Sequence, residues 1–315
     1  MRVGVLFGGD SAEREVSLLC GERVLVALKR LGIDTLAIDG RIAFAQWSQE
    51  PMDCVFIAIP GAGGEDGCVQ GALELAGIPY TGSGVLASAL ATDKWRSRQL
   101  FKQVGLPVPA SVMLSAGQAH PDEAQIRERL GVQPESSLFV KPNRLGSSLG
   151  CVPVDGNGSD FATAIAEAFR WDSEVLVEER LDGPEYSVGV LADRLLPSIR
   201  IEAAKDRAFY DYVAKYEEAG TSYSVPSGLS PVQEQHLAEL ARKAWDGIGG
   251  TGWGRVDMMA HQGDFPILEV NTVPGLTSHS LVPMAAAHSG IDFEELIHEI
   301  VRQALMRSGA VQEAQ

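Results

Sequence analysis

Two short stretches, Arg255-Val256-Asp257-Met258-Met259 and Ile267-Leu268-Glu269-Val270-Asn271, decide how this chain is read. Each sets polar residues at every second position among apolar ones, the alternation of a strand. Arg255 and Asp257 therefore share one face of the first strand, and Glu269 and Asn271 share one face of the second. The polar connection His261-Gln262-Gly263-Asp264 would fold the two strands into a hairpin. Asp257, Glu269 and Asn271 then converge, with Arg255 beside them. Three oxygen donors without His or Cys suit a hard cation that keeps water and phosphate in its shell, as Mg²⁺ does. The competing reading is a solvated hairpin face. Against it, Glu269 and Asn271 lie between "PIL" and "TVPG", an apolar setting for an unpaired acid.

A metal of this kind carries polyphosphate, so cations should stand nearby. Lys141-Pro142-Asn143-Arg144-Leu145-Gly146-Ser147-Ser148-Leu149-Gly150 puts a lysine at a strand end, before a loop whose backbone N–H groups could cover phosphates. It matches neither a Walker A sequence nor a GxGxxG fingerprint, and an ordinary hairpin would read the same. Lys94 follows Asp93, and Lys215 sits among three tyrosines in residues 209–216, a candidate lid or simple surface decoration. A third glycine-rich stretch, Pro60-Gly61-Ala62-Gly63-Gly64-Glu65-Asp66-Gly67, closes an apolar run with a proline and two acids.

Around these motifs the chain alternates. The apolar run 3–7 ends in Gly8-Gly9. Helical spacing follows from Glu13 to Lys29 through Val16, Leu19, Cys20, Val24, Ala27 and Leu28, with Gly32 as the stop. Residues 54–59 form an unbroken apolar strand fit for a sheet covered on both faces. Helices are expected at 70–76 and 86–102. This predicts a parallel α/β domain over residues 1–93. Strands at 138–141 and 174–179, with a helix capped by Ser159, predict a small α+β domain over 94–181. Strands at 186–191, 196–203, 255–259 and 267–270 fill a third domain, 182–308. It also holds a helix opened by Ser230-Pro231-Val232-Gln233 and a last one opened by Asp292 and Glu295. Residues 309–315 are expected to fray.

The 315 residues have room for two or three domains, and the net charge of −16 argues against a nucleic-acid or anionic-membrane surface. No apolar run approaches the roughly 18–20 residues of a bilayer span, and no cleavage site follows the first strand, so a cytoplasmic protein is expected. Four cysteines without CxxC spacing read as buried free thiols.

In order along the chain stand "GGDSAEREVSL", "GGEDG…QG", "YTGSG…A…DK", "KPNRLGSSLG", "LVEERLDGPEYSV", "FYDYVAKY", "GWGRVDMM" and "LEVNTVPGLTSHSLVP". This set resembles the D-alanine–D-alanine ligases, an ATP-grasp family, from Val3 to about Ile300. The resemblance implies three α/β-type domains, ATP held between the last two, and two Mg²⁺ (or Mn²⁺) on Asp257, Glu269 and Asn271. It implies phosphate contacts from Lys94 and Lys141 under the loop 144–150, with Ser148 and Tyr210 among the nucleotide contacts. Glu178, Glu179 and Leu181 would meet the adenine edge and Glu185 the ribose, while Lys215 and Arg255 face the γ-phosphoryl group. Glu13 would bind the ammonium of a first D-alanine, with Ser147 and Tyr216 closing over it. Gly275, Ser280 and Leu281 would contact the second D-alanine. The implied reaction passes through an acyl phosphate to D-alanyl-D-alanine for peptidoglycan precursors, in a homodimer joined through the N-terminal domain.

One departure bears on substrate. The family writes histidine where this chain has Pro60, and proline offers no side-chain donor and no backbone N–H to Glu13. The expected consequence is weaker or altered first-substrate binding with ATP binding intact, which Pro60→His should improve. A same-chemistry ligase with another first substrate and a nucleotide-binding pseudoenzyme are the alternatives. Glu179, where some relatives carry lysine, is a lesser change.

Overall fold

The computed structural model describes residues 1–42, 44–155, 161–202, 220–307 and 309, and within them the chain builds three separate sheets. In the first, strand β1 (Arg2–Phe7) lies between β2 (Asp34–Asp39) and β3 (Cys54–Ile57), all parallel. Helix α1 (Arg14–Arg30) buries Val16, Cys20, Val24, Ala27 and Leu28, the stripe its spacing predicts, and Gly32 follows its end in the left-handed region at φ +73°. The edge strand β2 went unanticipated because its positions are mostly half-exposed and it begins and ends on an aspartate. Strand β3 is buried throughout, as its apolar run requires, but pairing stops at Ile57 rather than 59. Pro60 has no N–H to extend a ladder. Short α2 (Phe44–Trp47) and α3 (Cys68–Ala76) follow. All four cysteines are free thiols. Cys20 and Cys54 are buried and Cys151 partly so, whereas Cys68, expected inside, opens α3 exposed.

The single helix expected over 86–102 is two, α4 (Val85–Thr92) and α5 (Lys94–Gln103). Asp93 between them is extended, at φ −87° and ψ 93°, and its carboxylate accepts the Arg96 backbone N–H at 2.9 Å. An aspartate in that conformation caps a new helix instead of continuing the old one. The break sets Lys94 at the first position of α5. There Asn143 fixes the turn, its Oδ1 accepting the Trp95 N–H at 2.8 Å.

The second sheet has the order β4-β7-β5-β6, antiparallel throughout: β4 (Ser111–Ser115), β5 (Leu138–Pro142), β6 (Val152–Val154) and β7 (Glu174–Glu179). Helices α6 (Glu123–Leu130) and α7 (Phe161–Ala168) pack Ile126 and Ala164 on Leu138, Val140 and Val177. The proposed cap Ser159 lies outside the described residues. Helix α6 was missed although Asp122 and Gln125 form a reciprocal capping box.

The third sheet has the order β11-β10-β8-β12-β13, with β9 on the side of β8. Its strands are β8 (Glu185–Leu191), β9 (Arg194–Leu195), β10 (Ile199–Glu202), β11 (Ser222–Ser224), β12 (Trp253–Met259) and β13 (Ile267–Asn271). Of the strand expected over 196–203 only β10 forms, starting at Ile199 after Pro197, which cannot donate to a ladder, while β9 ends just before that run. Helix α8 (Pro231–Gly247) opens with both bonds of the Ser230–Gln233 capping box. With Phe101 of α5, its Leu237 and Trp245 cover Val188, Val256 and Ile267. Helices α9 (Leu281–His288) and α10 (Phe293–Arg307) join α1 in another core, which holds Cys20, Leu28, Phe56, Ile199, Trp253, Ala286 and Ile297. Among the described residues no helix is long and apolar enough to cross a membrane.

The cap at Asp93 has a measurable worth. Asp93→Ala should lower the unfolding free energy by about 1 kcal/mol in urea titration, whereas Asp93→Asn, which can still accept from Arg96, should cost less. Equal losses in both variants would show that the break owes nothing to capping.

Candidate active site

The hairpin forms as its polar alternation requires. Arg255 pairs with Asn271 and Asp257 with Glu269, and the register shifts only beyond Asp257. On its other side Asp257 faces Ser187 of β8. This carboxylate is 3% exposed and accepts from three residues. Arg255 donates from Nε to Oδ1 at 2.8 Å and from Nη2 to Oδ2 at 2.8 Å. Ser187 donates to Oδ1 at 2.7 Å, and the Asn271 amide to Oδ2 at 2.9 Å. Two carboxylates and a carboxamide oxygen, with no nitrogen or sulfur ligand, fit a hard divalent cation by donor chemistry.

Two buried lysines approach this face from different elements. Lys94 lies 3.1 Å from Glu269 Oε2 and donates to the Leu145 carbonyl at 2.8 Å. Burial opposes its charge, but the Glu269 carboxylate outweighs that and its pKa is raised. Lys141, at the end of β5, lies 2.7 Å from Glu178 Oε1, and the other oxygen of Glu178 takes the guanidinium of Arg98. Arg98 is wholly buried on α5 and also donates to the Leu268 carbonyl at 3.1 Å. Burial and the neighbouring Arg98 charge lower the pKa of Lys141. Burial opposes ionisation of Glu178 too, but its two cations win and hold it below the usual carboxylate range. Both oxygens of Glu178 are thus engaged by Lys141 and Arg98. Glu179, one residue on, reaches His261 at 4.0 Å. Leu181 is half-buried, and Glu185 opens β8 at the rim of the cleft.

The loop after β5 turns through two consecutive left-handed serines, Ser147 at φ +53° and Ser148 at φ +57°. Non-glycine residues enter that region at a cost, and here the turn brings the Ser147 hydroxyl to Glu13, to whose Oε1 it donates. Glu13 is 5% exposed, immediately before α1. Gly61, at φ +80°, passes so close that a Cβ there would lie 2.4 Å from Glu13 Oε2, so only glycine fits. Pro60 is buried beside it, and its carbonyl accepts from Ser11 Oγ at 3.3 Å. Proline therefore does not leave Glu13 buried without a hydrogen bond, because Ser147 supplies one.

These groups line one cleft of roughly 660 Å³, its open mouth included. Glu13, Ser147, Glu185, Arg255, Glu269, Asn271, Gly275, Ser280 and Leu281 all face it. Beyond β13, Ser280 Oγ accepts the Thr277 N–H at 2.9 Å, and a Cβ at Gly275 would lie 3.0 Å from that oxygen. Lys94, Lys141 and Glu178 are not among the residues that line it. Tyr210, Lys215 and Tyr216 lie outside the described residues.

Sequence reasoning missed three contributors. Arg98 stands four residues after Lys94, one turn along the same helix, and that spacing was a usable signal. Glu65 had a weaker one, an acid among glycines, and it lines the cleft near Glu13 and Glu269. Ser187 had none, because its pairing with Asp257 joins strands about 70 positions apart.

The chain matches the family model described as D-ala D-ala ligase C-terminus over residues 100–302, and the one described as D-ala D-ala ligase N-terminus over residues 39–83. It is 50% identical over 308 residues to a D-alanine–D-alanine ligase of Chromohalobacter salexigens, covering 95% of this chain and 93% of the relative. It is 48% identical over 305 residues to one of Halorhodospira halophila, covering 96% of each. The crystal structure of a D-alanine–D-alanine ligase from Bacillus anthracis complexed with ATP superposes with a TM-score of 0.84 at 29% identity, over 98% of both chains.

Glu65 gives the site a pH signature. Burial, then the charges of Glu13 and Glu269, push its carboxyl from 4.5 up to about 8. A carboxyl with a raised folded-state pKa binds its proton more tightly folded than unfolded, so stability falls as pH climbs between those two values. Glu65→Gln mimics the protonated form. In the nucleotide-free protein it should gain stability over wild type from about pH 5 to pH 8, with a constant difference above. A difference that does not change with pH would refute the shift.

Proposed function

The chain belongs to the D-alanine–D-alanine ligase family of ATP-grasp enzymes, and on that premise we propose how its residues join two D-alanines in an ATP-dependent reaction. The observation that carries the reading is the convergence of Glu13, Arg255, Glu269, Asn271, Gly275 and Ser280 on one cleft. Phosphoryl transfer asks for positioning and charge neutralisation more than for a covalent nucleophile, and this cleft offers those.

Glu13, steadied by the Ser147 hydroxyl, receives the ammonium of the first D-alanine. The carboxylate of that substrate attacks the γ-phosphorus of ATP, giving an acyl phosphate and ADP. Lys94, Lys141, Lys215 and Arg255 offset phosphate charge, and Arg98 positions Lys141 through Glu178. Glu178, Glu179, Leu181 and Glu185 surround the nucleoside, while Ser148 and Tyr210 complete the nucleotide contacts. Asp257, Glu269 and Asn271 would hold two Mg²⁺ (or Mn²⁺), which supply further neutralisation of the polyphosphate. The amine of the second D-alanine, held by Ser280 and Leu281, then attacks the acyl carbonyl, and phosphate leaves. Arg255 and the Gly275 N–H stabilise the oxyanion of that step. The segment 209–216, with Tyr216, excludes water from the acyl phosphate. We assign residues 1–93, 94–181 and 182–308 to three domains of a cytoplasmic homodimer that feeds peptidoglycan synthesis.

The case for another first substrate rested on Glu13 losing a partner at position 60. With Ser147 on Glu13, D-alanine is the first substrate we favour.

A phosphate-release assay with ATP, Mg²⁺ and a panel of D-amino acids and D-lactate tests the reading. Turnover should be fastest with D-alanine and yield D-alanyl-D-alanine. Glu13→Gln should raise the first-substrate KM at least about tenfold, the size of one charge-assisted hydrogen bond, and leave the ATP KM unchanged. Turnover with another substrate and none with D-alanine would defeat the reading.

A further inference from the structure

Helix α1 does more than present Glu13. Residues 13, 16, 20 and 23 fall at offsets of three, seven and ten, which is one face of a helix. That face runs along the turn following β13. Val16 Cγ1 lies 4.0 Å from the place a Cβ would take at Gly275. Cys20 Sγ accepts the Leu276 backbone N–H at 3.0 Å, and Arg23 donates from Nη1 to the Leu276 carbonyl. Both backbone polar groups of Leu276 are therefore held by α1. Leu276 and Cys20 are each 1% exposed, so their bond does not compete with bulk water, while Arg23 reaches the Leu276 carbonyl from a half-buried position. Arg23 is fixed in turn, its guanidinium 4.1 Å from the ring centroid of Phe293 at the start of α10.

We propose that Cys20 and Arg23 are positioning residues of the second-substrate subsite. They clamp Leu276, and through it hold the Gly275 N–H and Ser280 hydroxyl at a fixed distance from Glu13. This inference rests on the ligase reading of the cleft. A ligase must hold two substrates so that amine and carbonyl meet, and a misplacement of about 1 Å can cost about a hundredfold in rate. A turn alone is a poor reference for such a distance. Seven residues of helix, about 10 Å at 1.5 Å per residue, form a rigid one. Glu13 stands at one end of that length and the Leu276 clamp at the other. The thiol suits its place: burial pushes it up to about 11, so it stays neutral beside the peptide it accepts from.

The test uses the full chain, with KM measured separately for ATP, first D-alanine and second D-alanine, and Tm beside them. Cys20→Ala and Arg23→Met each remove one bond to Leu276. Each should raise the second D-alanine KM about tenfold and lower kcat, with the other two KM values within about twofold of wild type. Cys20→Ser keeps an acceptor and Arg23→Lys a donor, and both should recover most of the loss. An unchanged second-substrate KM in the folded alanine and methionine variants would overturn the proposal. So would a rise of all three KM values in step with a falling Tm, which is what mere structural support produces. Should Arg23→Met not fold, the Cys20 pair decides alone, and failure of both to fold would make the clamp structural and end the proposal. A wild type that releases no phosphate with D-alanine would instead remove the ligase reading itself, an outcome the variants cannot imitate.

Discussion

The arrangement turns on one buried carboxylate. Asp257 sits where three strands meet, and an ionised acid at that depth is tolerated only with its oxygens satisfied. Arg255, Ser187 and Asn271 satisfy them, one from its own strand and one from each neighbour. A slip of β8 or β13 by one residue would turn its partner to the opposite face and leave the charge uncompensated. Register in the six-stranded sheet and the polar composition of the cleft floor are therefore one constraint. Glu269, opposite Asp257, passes the same demand outward to Lys94, and so to the Asp93 break that puts Lys94 within reach.

What was legible in the sequence followed locality. The hairpin of β12 and β13 could be read because its partners are a dozen residues apart and strictly alternating. Helix α1, the capping box at Ser230 and the buried strand β3 carried similarly local signals. The Asp93 break was hidden because apolar spacing runs through it unchanged, and only a side-chain cap interrupts the backbone. Strands β2 and β4 are largely half-exposed, so their pattern is faint. In the cleft, the cations and acids could be recognised by type and motif. Their pairing could not, since Lys141–Glu178–Arg98 and Ser187–Asp257 depend on which strands lie adjacent.

Position 60 shows how far motif reasoning carries. A proline in place of histidine is a real chemical loss, but its weight depends on who else touches Glu13. Ser147 does, and it arrives there only because two successive serines adopt a left-handed turn. No spacing rule predicts that backbone. Strain in one loop and a missing imidazole in another are thus linked through a single acid that neither loop contains.

The last helix lends its apolar face to the first. Leu296, Ile297, Ile300, Val301 and Ala304 of α10 share a core with Val16, Val24 and Leu28 of α1, and Arg30 pairs with Glu294 at 2.7 Å. During synthesis the parallel sheet is made first, yet the side of α1 that needs covering waits for residues some 270 positions later. At about 5–20 residues per second, that wait lasts from about 15 seconds to about a minute. For that time the nascent chain leaves uncovered the part of the α1 stripe that the sheet does not reach, the kind of apolar surface that chaperones recognise and that aggregates when crowded. Synthesis of α10, rather than completion of the first hundred residues, is the event that closes this core.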